Sequence, residues 1–216
     1  MFLHGWGGDI RSFGGAMDHF ERRGRTCLTF SFPPFGASDM PPEDWNLSDY
    51  SALTLSLLDK SSFDKVILVG HSFGGRVAMD ISSTAAPSRV EKLVLVDSAG
   101  LRPRRGPIYR LRRLRFRLAK KLGRPTEKYY SPDYLALPES MRGIFGRIVS
   151  RDQTEDVGKI KCPTLVFWGN RDKETPLYMC RRLIKKLGGK AIILNGGHFA
   201  YAEDHARFVA ALGRFV

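Results

Sequence analysis

The residue best suited to chemistry is Ser72, at the centre of the motif Gly70-His71-Ser72-Phe73-Gly74. An apolar run at 66–69 precedes the motif, and a helical pattern follows it. A serine on a sharp strand-to-helix turn projects its hydroxyl above the sheet, where the helix N-terminus favours developing negative charge. Phosphate-binding loops use similar turns, but no Lys-Ser/Thr pair follows this motif, as a P-loop requires, and no G-x-G-x-x-G is present. The motif therefore predicts a nucleophilic serine.

A serine hydroxyl needs a base to take its proton, and five histidines are available. His198 follows an apolar strand pattern and the flexible turn 195–197, which places it at the carboxyl edge of a parallel sheet. The other four lie inside glycine motifs, on an early helix or in the last helix: His4, His71, His19 and His205. We therefore predict that His198 is the base.

The base in turn needs an acid to orient it, and two aspartates compete for this role. Asp172 ends the run 164–172, a strand leading into a loop, and Asp97 ends the preceding strand. Either aspartate could instead cap a loop or the next helix. The chain order Ser72, Asp172, His198 is the order recorded for this kind of serine turn, which favours Asp172.

The oxyanion of a tetrahedral intermediate needs backbone N–H donors. One is predicted to be the amide of Phe73, directly after the nucleophile. The other is predicted to be the amide of Trp6, in the loop His4-Gly5-Trp6-Gly7-Gly8, whose glycines allow a substrate to approach the backbone. The alternative is that this loop is only a tight surface turn.

The elements that must hold these residues alternate along the chain. Strand patterns are predicted at 2–3, 26–32, 65–69, 92–96, 164–168 and 191–194, and helical patterns at 13–23, 48–58, 74–84, 177–187 and 202–215. Such alternation predicts an α/β protein with a parallel sheet covered on both faces. The alternation breaks at 101–156, which we predict to be a helical, arginine-rich cap inserted into a core formed by residues 1–100 and 157–216.

Composition restricts the class of protein further. The chain has 216 residues, of which 43% are hydrophobic and 26% charged, enough for a packed core and unlike a disordered chain. Three widely spaced cysteines suggest neither a disulfide framework nor a zinc site. No signal peptide and no bilayer-length apolar run is visible, so a cytoplasmic location is expected.

The net charge of +13 is concentrated in one segment. Residues 101–126 contain eleven arginines and lysines and no acid. Three interpretations are open: a cap helix with its apolar side over the pocket, arginines that face an anionic substrate, or a basic helix on an anionic membrane. The candidate substrate-contacting residues of this cap are Arg110, Arg113, Phe116, Tyr129 and Tyr130, with Phe145 as a further aromatic candidate.

Taken together, the motifs around residues 4–8, 70–75, 169–172 and 196–198 resemble the α/β-hydrolase superfamily. The segments 70–76 and 95–100 resemble lidded, carboxylesterase-like bacterial hydrolases. The resemblance implies a mostly parallel sheet of about six strands, with the first two strands of the superfamily missing before Met1 and the stub at 2–3 central in the sheet. In the turn 31–36, the usual Asp-x-Pro-Gly-x-Gly is replaced by Ser-Phe-Pro-Pro-Phe-Gly.

The expected activity is hydrolysis of a carboxylic ester with a small to medium acyl group, through an acyl-enzyme. No cofactor, metal or nucleic acid is implied, the partner is a small-molecule ester, and the oligomeric state is not predicted. One alternative is hydrolysis or lyase chemistry on an anionic substrate, such as a diketo acid or a thioester. Another is a non-catalytic, N-terminally truncated remnant that binds anionic surfaces.

Overall fold

A computed structural model describes residues 1–103, 106–130, 134–135 and 137–216. The side chains of residues 107–110, 112 and 127 lie outside this description. Within it are five strands, β1 (Phe2–Leu3), β2 (Val66–His71), β3 (Val90–Val96), β4 (Thr164–Gly169) and β5 (Ala191–Leu194). They form one parallel sheet in the order β1-β2-β3-β4-β5. The predicted α/β class is confirmed.

Helices connect these strands and cover both faces of the sheet. They are α1 (Gly14–Glu21), α2 (Leu47–Asp59), α3 (Phe73–Asp80), α4 (Pro107–Lys121), α5 (Glu139–Ser150), α6 (Thr154–Val157), α7 (Leu177–Leu187), α8 (Ala200–Glu203) and α9 (His205–Phe215). One core cluster contains residues of α2, α3 and α7, and the other contains residues of α1 and α9. Each inner strand is therefore buried on both sides, which explains its continuous apolar sequence. No helix within the described residues is long and apolar enough to cross a bilayer.

The predicted strand at 26–32 does not form, so the described sheet has five strands rather than about six. This segment lies beside β1 and makes only an isolated bridge, between Phe2 and Thr29. The Phe2 N–H donates to the Leu28 carbonyl at 2.8 Å, and the Thr29 hydroxyl donates to the Phe2 carbonyl at 3.1 Å. The physical reason is that β1 offers a ladder of only two residues. For the same reason β1 is the last strand of the described sheet. The expectation that it is central in the sheet is therefore wrong.

Parallel strands bring their carboxyl ends to one edge of the sheet, and the loops that leave this edge carry the candidate site. The segment 101–156 lies between β3 and β4. Its described part contains α4, α5 and α6 and no strand. Of these helices, α5 lies closest to the candidate site, because Phe145 packs on Trp6 with ring centroids 5.1 Å apart.

Candidate active site

Ser72 occupies the turn between β2 and α3 in a strained backbone conformation, with φ +48° and ψ −107°. The Ser72 N–H donates to the Val96 carbonyl at 3.1 Å, which ties the turn to β3. A side chain at Gly70 would collide with the backbone of Gly74, and one at Gly74 would collide with the carbonyls of Leu3 and His4. The two glycines therefore permit the close packing that holds a left-handed serine in place.

His198 lies after β5 with its ring largely buried and its Nε2 atom 2.9 Å from the Ser72 hydroxyl. Its own carbonyl lies 2.7 Å from Nε2 of His71. Burial first, and the neighbouring His198 second, lower the pKa of His71 to about 3. His71 is thus neutral at ordinary pH, and its Nε2–H donates to the carbonyl, which fixes the loop that carries His198.

Asp172 lies on the other side of the His198 ring, with Oδ2 2.9 Å from Nδ1. Oδ2 also accepts from the Thr175 hydroxyl at 2.6 Å, and Oδ1 accepts from the amides of Glu174 and Thr175 at 2.8 and 2.9 Å. Burial by itself would raise the pKa of Asp172, but these hydrogen bonds, led by the one from His198, leave the pKa below its usual value. The carboxylate is therefore held ionised and pointed at the imidazole.

Asp97, the rival acid, takes a different place. It is fully buried at the end of β3 with φ +44°, and its Oδ1 accepts from the Gly169 amide at 2.7 Å. Burial first, with Asp172 as a nearby negative charge, raises the pKa of Asp97 to about 8. Among the described hydrogen bonds none joins Asp97 to His198, so the geometry favours Asp172 as the partner of the imidazole.

The loop predicted to supply one oxyanion donor is braced by His4, which is buried beneath it. Nε2 of His4 accepts from the Phe32 amide at 2.8 Å, so Nδ1 carries the proton and donates to the Gly5 carbonyl at 2.7 Å. Phe32 belongs to the turn 31–36, whose sequence differs from the usual pattern of the superfamily. Through this hydrogen bond the turn still supports the loop 4–8. Within the described residues, neither the Trp6 amide nor the Phe73 amide donates to a protein acceptor. Both N–H groups are available to a substrate oxygen.

A cavity of about 590 Å³ opens beside Ser72 and His198. Its walls are mainly apolar and come from Trp6, Phe35, Phe73, Leu137, Phe145, Ile148, Val149 and Phe199. The charged residues among the lining are Arg76 and Glu174. Arg76 is 8% exposed and donates to the carbonyls of Ile148 and Arg151 at 3.1 and 2.9 Å, which anchors the end of α5 to α3. The Glu174 carboxylate lies 3.2 Å from Nε2 of His198.

Among the predicted cap residues whose side chains are described, Phe145 lines this cavity, whereas Arg113, Phe116, Tyr129 and Tyr130 do not. Arg113 is exposed, Phe116 packs on Tyr129 and Tyr130, and none of the three aromatics lines the cavity. The side chain of Arg110 lies outside the described residues. Of the three interpretations of the basic segment, the one that places the apolar side of the helix over the pocket is contradicted, because Leu111, Leu114, Leu118 and Leu122 are 49–63% exposed. Helical spacing shows that two sides of a helix differ, but it does not show which side packs inward.

Three residues of the site were missed by the sequence analysis. Glu174 is only two positions from Asp172, and its closeness to His198 arises from the turn that follows β4. Arg76 stands in the segment that carries the family resemblance, yet its burial is a tertiary property. His4 was considered only as a base, whereas it braces the neighbouring loop. The one signal in the sequence that could have identified these three residues is that each lies in or next to a motif.

The matching family model, described as the alpha/beta hydrolase family, covers residues 1–212. A Bacillus subtilis relative, AB hydrolase superfamily protein YisY, is 25% identical over an alignment 241 residues long, which covers all of this chain and 90% of that protein. An esterase from Exiguobacterium antarcticum has a similar structure, with a TM-score of 0.78 at 19% identity over 99% of this chain and 90% of that one. A hydrolase from Pseudomonas aeruginosa PA01 has a TM-score of 0.77 at 22% identity, over 99% and 88% of the two chains. The match to the family model over nearly the whole sequence shows that this chain belongs to the alpha/beta hydrolase family.

Proposed function

We propose that this protein is a serine hydrolase that cleaves carboxylic esters through an acyl-enzyme. The observation that carries the proposal is the unbroken series of contacts from Ser72 through His198 to Asp172, with two N···O distances of 2.9 Å. The family supports hydrolase activity, and the similar Exiguobacterium protein is an esterase.

In the first step the Ser72 hydroxyl attacks the ester carbonyl carbon, and its proton passes to Nε2 of His198. The imidazolium that forms is stabilised by the Asp172 carboxylate at Nδ1. The carbonyl oxygen becomes an oxyanion, for which the Trp6 and Phe73 amides are free donors. When the intermediate collapses, the C–O bond breaks and His198 returns the proton to the departing alcohol.

In the second step a water molecule attacks the acyl-enzyme carbonyl and gives its proton to His198. Collapse of this second intermediate releases the carboxylic acid and restores the Ser72 hydroxyl. The cavity of about 590 Å³ must hold both the acyl and the alcohol group, which favours a small to medium ester.

The nature of the charges at the cavity favours a neutral ester over an anionic substrate. The Glu174 carboxylate stands beside the reacting nitrogen and would repel a second anion. Arg76, the cation at the wall, is already engaged with two carbonyls of the segment 148–151. Arg113 and the other described arginines of α4 are exposed, away from the cavity lining.

The proposal also includes the place of action, which we expect to be the cytoplasm.

The test is labelling with a fluorophosphonate, which reacts only with an activated serine. We expect labelling of the wild type, none of Ser72→Ala, and a rate lower by about 10⁴ in Asp172→Asn, since the imidazole then adopts the wrong tautomer. Asp97→Asn is the matched control, because it removes the other buried carboxylate of the same edge. A wild type that folds but does not label would refute the proposal and favour a non-catalytic protein. Equal loss in both asparagine variants would refute the choice of acid.

A panel of p-nitrophenyl esters then tests the substrate class. Turnover of neutral esters of short and medium chain length is expected, with a decline once the acyl chain outgrows the cavity. Preferential turnover of diketo acids or of coenzyme A thioesters would overturn the ester assignment while leaving the serine mechanism intact.

A further inference from the structure

Helix α4 and the residue that ends it, Leu122, present an apolar stripe that the described part of the protein leaves about half exposed. Leu111, Leu114, Leu118 and Leu122 are 49%, 54%, 50% and 63% exposed. At about 100° per residue the four side chains fall within about 80° of one another around the helix axis. Scattered exposed leucines are ordinary on protein surfaces, whereas a continuous stripe on one helix marks an interaction surface.

Cations border this leucine stripe on both sides. Arg115 lies next to Leu111 around the helix, and Lys121 and Arg117 lie beyond Leu114. Further exposed cations of this region are Arg113, Lys120 and Arg124. None of these side chains forms an ion pair within the described residues, and the sequence 101–126 contains no acid.

The opposite side of α4 is the one that packs on the protein. Ala119 is buried, and Phe116 is half-buried with its ring 5.8 and 5.9 Å from those of Tyr129 and Tyr130. The aromatic contacts continue through Tyr134 to Phe145 at the cavity wall. The leucine stripe and its cations thus face outward from a helix anchored on the segment that borders the candidate active site.

We propose that this face of α4 binds the surface of an anionic lipid bilayer. An apolar stripe between rows of cations is the arrangement of a helix that lies in the membrane interface, with leucines among the acyl chains and cations among anionic headgroups. Nucleic acid would engage the cations and leave the leucines in water. A second copy of the chain would bring two strongly basic surfaces together. The bilayer alone satisfies both features, and the proposal is independent of catalysis by Ser72.

The test is co-sedimentation of the full chain with sucrose-loaded vesicles, in the Ser72→Ala background so that lipid is not consumed. We expect binding to vesicles of phosphatidylcholine mixed with phosphatidylglycerol and little binding to phosphatidylcholine alone. Three charge reversals, Arg115→Glu, Arg117→Glu and Lys121→Glu, should weaken binding by at least about a hundredfold, since each cation near such a surface contributes about fivefold. The control reverses three exposed cations elsewhere, Arg22→Glu, Lys60→Glu and Lys190→Glu, with the same change of net charge.

The apolar part of the proposal is tested by Leu114→Ala with Leu118→Ala. Both side chains are half-exposed, so the variant should fold normally, and circular dichroism checks this. We expect binding to fall by about tenfold per leucine, from the methylene groups withdrawn from the acyl region. Unchanged binding of the leucine variant would overturn the proposal in favour of a general polyanion site. Equal loss in the two charge-reversal triples, or equal binding to neutral vesicles, would overturn it as well.

Discussion

Replacing Asp97 by asparagine should stabilise the protein at neutral pH, although it alters a fully buried residue beside the candidate active site. In the folded protein burial raises the pKa of Asp97 to about 8, from 3.8 in an unperturbed aspartate. Oδ2 has no hydrogen-bond donor among the described residues. The ionised form is therefore poorly accommodated, and the folded protein retains a proton that the unfolded chain releases.

The sign follows from proton binding. A carboxyl whose folded pKa is raised contributes stability that is complete below about pH 4 and is lost as the pH rises to about 8. At pH 7 the difference between the pH and the unfolded pKa is about 3 units, which corresponds to roughly 4 kcal/mol at 1.36 kcal/mol per unit. Asparagine does not titrate, yet its amide oxygen can still accept from Gly169 and its N–H can donate to the Asp172 carboxylate.

The assay is urea denaturation of the wild type and Asp97→Asn at several values between pH 5 and pH 8. The stability advantage of the variant should increase by up to about 1.4 kcal/mol per pH unit. The exposed Asp39→Asn serves as the control and should show no such slope. An advantage that does not change with pH, or a variant less stable than the wild type at pH 8, would refute the reasoning that Asp97 is protonated in the folded state.

Three further variants test the packing and the charges around the site. Gly74→Ala should lower the free energy of unfolding by roughly 1–3 kcal/mol or more and abolish fluorophosphonate labelling, because the new methyl group overlaps the backbone of β1. Gly146→Ala is its control, since the added carbon meets nothing within 4 Å; equal destabilisation of both would contradict the argument. Glu174→Gln should raise kcat/KM for an anionic ester, relative to kcat/KM for its neutral analogue, by up to about fivefold, because an exposed negative charge that repels the anion is removed. An unchanged ratio would show that Glu174 does not influence the choice between the two esters. Arg76→Met should destabilise the protein by about 2 kcal/mol, because a buried carbonyl, that of Ile148, and a partly buried one, that of Arg151, lose their donor. Thermal denaturation that matches the wild type would show that these hydrogen bonds contribute nothing.

The fold could be predicted from periodicity wherever an element is long and uniformly apolar or amphipathic. The helix at 177–187 and the strand at 191–194 have the predicted limits, because each pattern is bounded by glycine, proline or polar residues. The segment 26–32 has an equally good strand pattern, yet it forms no strand. A strand exists only if its neighbour offers a ladder, and β1 offers two residues. Pairing of this kind is a property of the folded sheet.

The sequence by itself determined which residues could act as nucleophile and base, since a serine between glycines after a strand, and a histidine after a glycine turn, have few other places in a parallel sheet. For the acid it favoured Asp172 by chain order but kept Asp97 as a rival, because both aspartates follow strands whose ends meet at the same edge. The tertiary structure separates their positions: the turn after β4 brings Asp172 to 2.9 Å from Nδ1 of His198, while the left-handed backbone of Asp97 directs its carboxyl to the Gly169 amide. The orientation of α4 was decided in the same way. A helical repeat defines two different faces, but the face that packs inward depends on the shape of the surface beneath it, which no local pattern contains.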